Sequence, residues 1–229
     1  MQAARNGKLR LIDAALKLAA HTRSLEAVKL REIAREAGLN PNTFYRHFSC
    51  LDDLGLAIID RLVTELRGPL REQRIRAAQA VIEQFGGQVF SANSRRWAVQ
   101  GQEINRRTVS LFFRFVEENR YGFIVGLREL HGASPRLRTA LRQAMEEFAR
   151  DMAEDLDRYQ MLQVSDPERG LSACRLIVRQ MFTLSMDYLE QPDDAGKIAV
   201  CREAEEMIMA IIIGYSGLDQ LPTDPDTDA

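Results

Sequence analysis

The side chains with the clearest chemical potential lie in one segment, KLREIAREAGLNPNTFYRHF, at residues 29–48. Its last part carries amide, hydroxyl, guanidinium and imidazole groups close together, and on a helix positions three or four apart share one face. Groups of these types hydrogen-bond to base edges in the major groove of DNA. The spacing therefore predicts a short helix that contacts DNA bases. The candidate base-reading residues are Asn42, Thr43, Arg46 and His47.

A helix-turn-helix would hold these side chains outward. Asn40 and Pro41 predict the start of its second helix, because asparagine caps a helix and proline is tolerated at the first helical position. Gly38 predicts the end of the first helix, since glycine accepts a positive φ. Ala34 supplies a small side chain where the two helices touch. The apolar residues expected to fill the wedge between them are Ile33, Leu39, Phe44 and Phe48.

Two short helices also meet in proteins that bind no DNA, and their polar residues then simply face water. The charge distribution favours DNA. Residues 1–50 contain nine basic and four acidic side chains, a net charge of +5, whereas the whole chain carries −2 and the other 179 residues therefore −7. A basic N-terminal segment followed by an acidic remainder is expected of a nucleic-acid-binding domain joined to a second domain.

Apolar residues recur at helical spacing along nearly the whole chain, and no alternating strands bounded by hairpin turns are apparent. The sequence therefore predicts an all-α fold. A fourth helix begins at Leu51 and weakens at Gly68-Pro69, and residues 86–108 are the least regular part, with Gly101 among the breaks. The last two helices are expected at roughly 168–190 and 196–216.

Composition excludes several classes of protein. The 229 residues are 45% hydrophobic and 28% charged, which is enough to form a core. No apolar run approaches the ~20 residues that span a bilayer, and no secretory signal is visible, so we expect no membrane insertion. Cys50, Cys174 and Cys201 are odd in number and far apart, which argues against a disulfide framework and for the cytoplasm.

Catalysis is not expected. His21, His47 and His131 lie far apart, and the sequence contains no HExxH, G-x-S-x-G, GxGxxG or P-loop motif. We therefore predict no catalytic residues, no metal site and no cofactor. Two alternatives stay open at this point: a redox-responsive protein acting through Cys50, and a helical protein that only binds other proteins.

The segment LREIAREAGLNPNTFYRHF, preceded by LIDAALKLAA and followed by LDDLGLAII, closely resembles the N-terminal domain of TetR-family transcriptional repressors over about residues 8–62. The resemblance implies an all-helical homodimer with a ligand-binding body. FYRHF followed by DDLGL, and the stretch RTVSLFFRFVEENRYGFIVGLRELHG, are most similar to bacterial repressors of unsaturated fatty-acid synthesis, which sense long-chain acyl thioesters. Lys29 and Leu51 depart from the family, which usually has Ser or Thr at the first position and often Lys at the second.

The resemblance implies a helix-turn-helix DNA-binding domain at 1–50 and an effector-binding and dimerisation domain at 51–221. Residues 222–229 are rich in Pro and Asp with little to bury, so we expect a frayed tail there. The resemblance implies a repressor that binds a pseudo-palindromic duplex operator as a dimer and responds to a small hydrophobic effector, for which a long-chain acyl thioester is the candidate. An unrelated apolar or cationic effector is the alternative. Besides the four base-reading candidates, the residues expected to contact the DNA backbone are Lys8, Lys29, Asn40 and Tyr45.

The body is rich in soft apolar side chains that suit a pocket for an acyl chain, although most such stripes are simply core. The pocket candidates are Phe112, Phe113, Val116, Phe123, Leu127, Phe148, Met152, Met181, Phe182 and, for a head group, Arg128. Arg106, Arg107 and Arg120 are further head-group candidates. The residues expected in a dimer interface, with intramolecular core as the alternative, are Ile177, Met181, Leu184, Ala204, Ile208, Ile211 and Tyr215.

Overall fold

The computed structural model describes residues 2–21, 24–87 and 94–218. Within these ranges the chain is helical, without strands, and the prediction of an all-α fold with an N-terminal helix-turn-helix domain and a larger helical domain is confirmed. A short 3₁₀ helix at Leu25–Ala27 accompanies the α-helices. The α-helices are α1 Gln2–His21, α2 Leu30–Glu36, α3 Pro41–Phe44, α4 Leu51–Gln84, α5 Arg95–Glu118, α6 Arg120–Leu130, α7 Pro135–Arg158, α8 Pro167–Glu190 and α9 Asp194–Leu218.

The chain forms two compact units. The first contains Met1–Gly68 and Phe115–Ala144, and the second contains Pro69–Arg114 and Met145–Ala229. The boundaries fall inside α4, α5 and α7, so each of these long helices contributes to both units. The division of the sequence into domains at residue 50 stays a prediction, and the predicted tail at 222–229 lies outside the described residues.

The core of the first unit is built by α1 to α3 and the start of α4. Leu11, Ile33, Phe44 and Leu54 are completely buried there. Because these residues recur at helical spacing, each helix turns one apolar stripe toward the others and leaves its polar side to water. The helix-turn-helix therefore packs on a continuous apolar core.

The predicted break at Gly101 is wrong, and the predicted weakening at Gly68-Pro69 does not end the fourth helix. Helix α4 continues through Pro69, and α5 continues through Gly101. Proline costs a helix interior ~3 kcal/mol and glycine ~1 kcal/mol. Buried residues on either side, such as Leu66 and Ala78 in α4, anchor each helix by packing that outweighs these costs. The sequence also predicts a break at Gly86-Gly87, and this one is confirmed: both residues lie after the end of α4 and have a positive φ.

In the second unit, α8 and α9 pack along their length with Ile177, Leu184 and Ala204 buried. An ion-pair group ties α4 to α7: the Arg74 guanidinium bonds the carboxylate of Asp155, and Arg71 contacts Asp151 and Asp155. No helix in the described ranges has the length and hydropathy to cross a bilayer.

The backbone at Gly38 gives a stability prediction. This residue has φ = +62°, a region that costs an L-residue about 1–2 kcal/mol, so Gly38→Ala should lower the free energy of unfolding by about that amount. Gly126→Ala is the matched control, because Gly126 lies inside α6 with a negative φ and room for a methyl group, 3.9 Å from Leu141. This control should raise the free energy by about 1 kcal/mol in urea unfolding. A stabilising Gly38→Ala would contradict the assigned turn.

Candidate functional site

The turn between α2 and α3 is short and closed by backbone hydrogen bonds. The Ala37 amide donates to the Ile33 carbonyl at 2.9 Å, and the Leu39 amide donates to the Ala34 carbonyl at 2.8 Å. Gly38 between them supplies the positive φ that turns the chain out of α2. The prediction that this glycine ends the first helix is confirmed.

Capping fixes where α3 begins. The Asn40 Oδ1 accepts a hydrogen bond from the Asn42 amide at 2.9 Å, and Pro41 occupies the first helical position. This confirms the predicted start. At the head of α2 the lysine side chain of Lys29 has no acceptor to offer, and the Glu32 carboxylate instead accepts from the Lys29 amide at 3.5 Å. Half of a capping box thus remains where the family usually has a hydroxyl.

The inner side of α3 is aromatic. Phe44 is fully buried, Phe48 is nearly so, and their ring centroids lie 5.6 Å apart. Ile33 from α2 is also fully buried, while Leu39 is half-buried against the same cluster. Burial of both rings fixes the rotation of α3 about its axis, because any other rotation would expose the rings to water.

The opposite side of α3, together with the turn at residues 45–47 that follows it, carries the candidate base-reading residues. Asn42 and Arg46 are exposed, whereas Thr43 and His47 are half-buried. Tyr45 is 65% exposed with its ring edge-on to Phe44 at 5.7 Å, so its hydroxyl points away from the core. The sequence predicts that all four polar side chains face water together, and the structure gives the greatest exposure to Asn42 and Arg46.

The candidate backbone contacts are exposed as well. Lys8 in α1 holds its ammonium 5.8 Å from the centroid of the Phe48 ring, beside the end of the α3 turn. Lys29 and Asn40 are exposed at the starts of α2 and α3. Leu51, at the start of α4, is half-buried.

An ion pair connects the two helices that flank this surface. The Lys17 ammonium of α1 lies 2.6 Å from the Glu36 carboxylate of α2. The hydrogen bond, followed by the charge attraction, raises the pKa of Lys17 and lowers the pKa of Glu36. Both groups are therefore charged at neutral pH, and this surface pair adds to the apolar packing between α1 and α2.

Helix α6 holds the backbone next to the helix-turn-helix, which the sequence pattern did not indicate. The Arg128 guanidinium donates to the carbonyls of Ala20 at 2.9 Å and Ala19 at 3.3 Å near the end of α1. The buried Glu129 carboxylate accepts from the Leu25 amide at 2.7 Å. Arg128 therefore binds protein backbone within the first unit, and its role as an effector head-group contact stays a prediction.

The second unit contains a partly open cavity, in which about 70 Å³ is open to a water-sized sphere. Residues of α4, α5, α7, α8 and α9 line it. Of the ten pocket candidates, Met152 lies in its wall. Trp97, Gly101 and Ile104 of α5 also line it, although this part of the sequence gave no readable pattern.

The other pocket candidates lie elsewhere. Val116, Phe123, Leu127 and Arg128 belong to the first unit. Phe112, Phe113, Phe148 and Met181 are buried, and Phe182 is half-buried, but none of these five lines this cavity. Their stripes form packing between helices, because an apolar stripe predicts burial and not the neighbour it is buried against.

Four of the predicted interface residues are already buried in a single chain. Ile177, Met181, Leu184 and Ala204 are at most 6% exposed, so they have no surface left for a second copy. Ile208, Ile211 and Tyr215 are half-buried, and Ile208 lines the cavity. The large apolar side chains that α8 and α9 expose are Leu176, Ile198, Ile213 and Leu218.

The remaining head-group candidates have partners. Arg106 and Arg107 both bond the Glu103 carboxylate, at 2.7 and 2.8 Å. The hydrogen bond from Arg106, then that from Arg107, lowers the pKa of Glu103. Arg120 is exposed with its guanidinium 6.0 Å from the Tyr121 ring centroid.

The described residues contain no cluster of three or more His, Cys, Asp or Glu side chains that could hold a metal ion. Cys50 is exposed, with its Sγ 4.0 Å from a guanidinium nitrogen of Arg136. Cys174 is buried, and burial raises the pKa of its thiol to about 12. Cys174 is therefore a neutral core residue at physiological pH.

A basic helix-turn-helix with an exposed polar edge, joined to a larger helical body, defines a ligand-responsive DNA-binding regulator. Residues 11–58 match the model of the bacterial regulatory proteins of the tetR family, and residues 102–214 match the tetracyclin repressor-like C-terminal domain. The chain belongs to the TetR family of transcriptional regulators.

Solved structures share the fold at low sequence identity. A transcriptional regulator from Rhodococcus sp. Rha1 is 18% identical, with a TM-score of 0.61, over 94% of this chain and 99% of that one. FadR from Thermus thermophilus, solved in complex with lauroyl-CoA, is 16% identical with a TM-score of 0.57 over 97% and 99%. The fatty acid degradation regulator FadR from Bacillus halodurans is 16% identical, with a TM-score of 0.56, over 89% and 94%.

The Asn40 cap gives a prediction about the reading helix. Asn40→Ala removes the acceptor for the Asn42 amide and should cost about 1 kcal/mol of unfolding free energy without DNA. Asn40→Asp keeps an acceptor and should stay within a few tenths of a kcal/mol of the unchanged chain. Urea unfolding of both variants measures this. Equal losses in the two variants would show that the cap is not the stabilising contact.

Proposed function

We propose that this regulator is a repressor that binds a pseudo-palindromic operator as a homodimer and is controlled by a hydrophobic effector. It would act in the bacterial cytoplasm, where the chromosome lies. One observation supports the DNA contact above all. On α3 and the turn that follows it, the side with Asn42 and Arg46 is exposed, while the opposite side, with Phe44 and Phe48, is buried.

The exposed side, with Asn42 and Arg46, is proposed to read the bases. Asparagine pairs with adenine and arginine with guanine through two hydrogen bonds each, so Asn42 and Arg46 are the main readers. Thr43 and His47 are half-buried and would reach bases only at the side of the groove. Phosphate contacts position a protein without reading sequence. The residues proposed for them are Lys8, Lys29, Asn40 and Tyr45.

The two kinds of contact predict different mutant phenotypes. Asn42→Ala should relax preference at one base pair by about 1–3 kcal/mol, because a bidentate base contact is lost. Tyr45→Phe should weaken binding to every duplex modestly and equally, since its hydroxyl would meet a phosphate. Fluorescence anisotropy with a selected operator and a scrambled duplex at fixed salt separates them. An Asn42→Ala loss that is equal on both duplexes would refute the assignment.

A dimer is proposed because one short helix reads few base pairs. Two copies would reach half-sites about 34–36 Å apart, one turn of DNA. The exposed apolar residues of α8 and α9 are better candidates for the dimer interface than the predicted residues that are already buried. Leu176 and Ile213 are 44% and 49% exposed on long helices, where water contact with large side chains is unfavourable.

Ile213→Glu should shift the chain to monomer, because a charge would enter the proposed interface. Val99→Glu is the matched control: Val99 is 47% exposed on α5 and outside that surface. Sedimentation equilibrium at micromolar concentration gives the oligomeric state of each. A dimer in both variants would place the interface elsewhere.

The cavity of the second unit supports a hydrophobic effector, since its wall is largely apolar. Two classes are open. A long-chain acyl thioester is the candidate from the sequence resemblance to repressors of unsaturated fatty-acid synthesis, and the similar FadR of Thermus thermophilus was solved with lauroyl-CoA. A compact hydrophobic molecule is the other. Effector binding would act by favouring one of two arrangements of the reading helices.

A further inference from the structure

An exposed arginine from α7 lies at the start of α4, next to the turn that follows α3. The Arg136 Nη2 donates to the Asp53 Oδ1 at 3.1 Å, and the Ser49 amide donates to the Asp53 Oδ2 at 3.2 Å. Ser49 directly follows Phe48, whose buried ring holds that turn against the core. One carboxylate therefore joins Arg136 to the end of the segment that carries the base-reading residues, and all of these residues belong to the first unit.

The start of α4 would be acidic without this arginine. Its first ten residues, 51–60, contain three aspartates and no lysine or arginine. A duplex carries one negative charge per ~1.7 Å of its axis, so carboxylates beside a bound duplex are repelled by its phosphates. Arg136 lies 83 residues away in sequence from Asp53 and brings a positive charge to this segment.

Apolar packing already holds α7 against α4 at this place. Leu137, the residue after Arg136, is 1% exposed, and a Cβ atom built on Gly55 of α4 would lie 2.8 Å from its Cδ2. The side chains of Arg136 and Asp53 are 55% and 33% exposed, and an exposed ion pair adds little to the stability of such a contact. Stability of the fold therefore does not explain an arginine at this position.

The Arg136 guanidinium keeps donors that suit a phosphate. A guanidinium has five N–H donors in a planar fork, which can bind two oxygens of one phosphate. The bond to Asp53 uses one of them, and Nη1 lies 4.0 Å from the Cys50 Sγ, which is a weak acceptor. Arg138 differs, because its Nη1 donates to two backbone carbonyls of the preceding turn at 2.6 and 2.7 Å. Arg136 can therefore bind a phosphate without releasing Asp53.

We propose that Arg136 is a phosphate contact of the bound duplex, which α7 supplies beside the turn that follows α3. This inference rests on the proposed function, since it assumes that the outer side of α3 enters a major groove. Phosphates flank the groove on both sides, and contacts to them position a protein without reading bases. Helix α7 then contributes to the DNA-binding surface, although the sequence places it in the effector-binding part of the chain.

Arg136→Gln removes this charge and should weaken binding to a selected operator and to a scrambled duplex by the same factor, about three- to tenfold. The slope of log affinity against log salt concentration should become less steep by about 0.9 for each protomer on the DNA, because one phosphate fewer is neutralised. Fluorescence anisotropy between about 50 and 200 mM KCl measures both quantities.

Asp53→Asn separates a phosphate contact from a structural ion pair. It removes a negative charge near the duplex, and its amide oxygen can still accept from Ser49, so operator affinity should be at least that of the unchanged chain. If Arg136 acts only through Asp53, this variant should instead lose as much affinity as Arg136→Gln, which would overturn the proposal. The urea midpoints of both variants should stay close to that of the unchanged chain.

Arg142→Gln is the matched control. Arg142 is also exposed on α7, but it lies six residues, about 9 Å, further along the helix axis. This variant should change neither the affinity nor the salt slope. An equal loss in Arg142→Gln, or an unchanged slope in Arg136→Gln, would overturn the phosphate contact and leave the proposed repressor intact. If the unchanged chain binds no duplex specifically, the proposed function fails, and this inference fails with it.

Discussion

The packing of Phe44 and Phe48 against Ile33 is the constraint on which the DNA-reading surface depends. Both rings are buried on one side of the α3 turn, so the residues half a turn away must face water. The positive φ of Gly38 and the Asn40 cap bring the helix to the place where the rings can be buried. The packing of these rings in the core thus determines which polar side chains are exposed on the opposite side.

Polar contacts to backbone hold the neighbouring segment in the first unit. Arg128 binds carbonyls near the end of α1, and Glu129 binds the amide that opens the 3₁₀ helix. Helix α6 therefore holds the chain just before α2 begins. In the second unit the ion pair between Arg74 and Asp155 links α4 to α7. The wall of the cavity beside this pair is largely apolar.

Local rules predicted the reading helix well, because Gly38, Asn40 and Pro41 act on the backbone beside them. They failed at Pro69 and Gly101, where packing between distant residues keeps the helix intact. Apolar spacing identified Ile177 and Leu184 as buried, yet it could not tell a partner chain from a neighbouring helix. The backbone partners of Arg128 could not be predicted for the same reason: they lie more than a hundred residues away in sequence.

The central claim is that the outer edge of α3 contacts bases. A crystal structure of the protein with its selected operator tests this most directly, through the distances from the Asn42 and Arg46 side chains to the base edges. We expect hydrogen bonds of about 2.7–3.2 Å in the major groove. Side chains that reach only phosphates, or an edge of α3 turned away from the duplex, would contradict it.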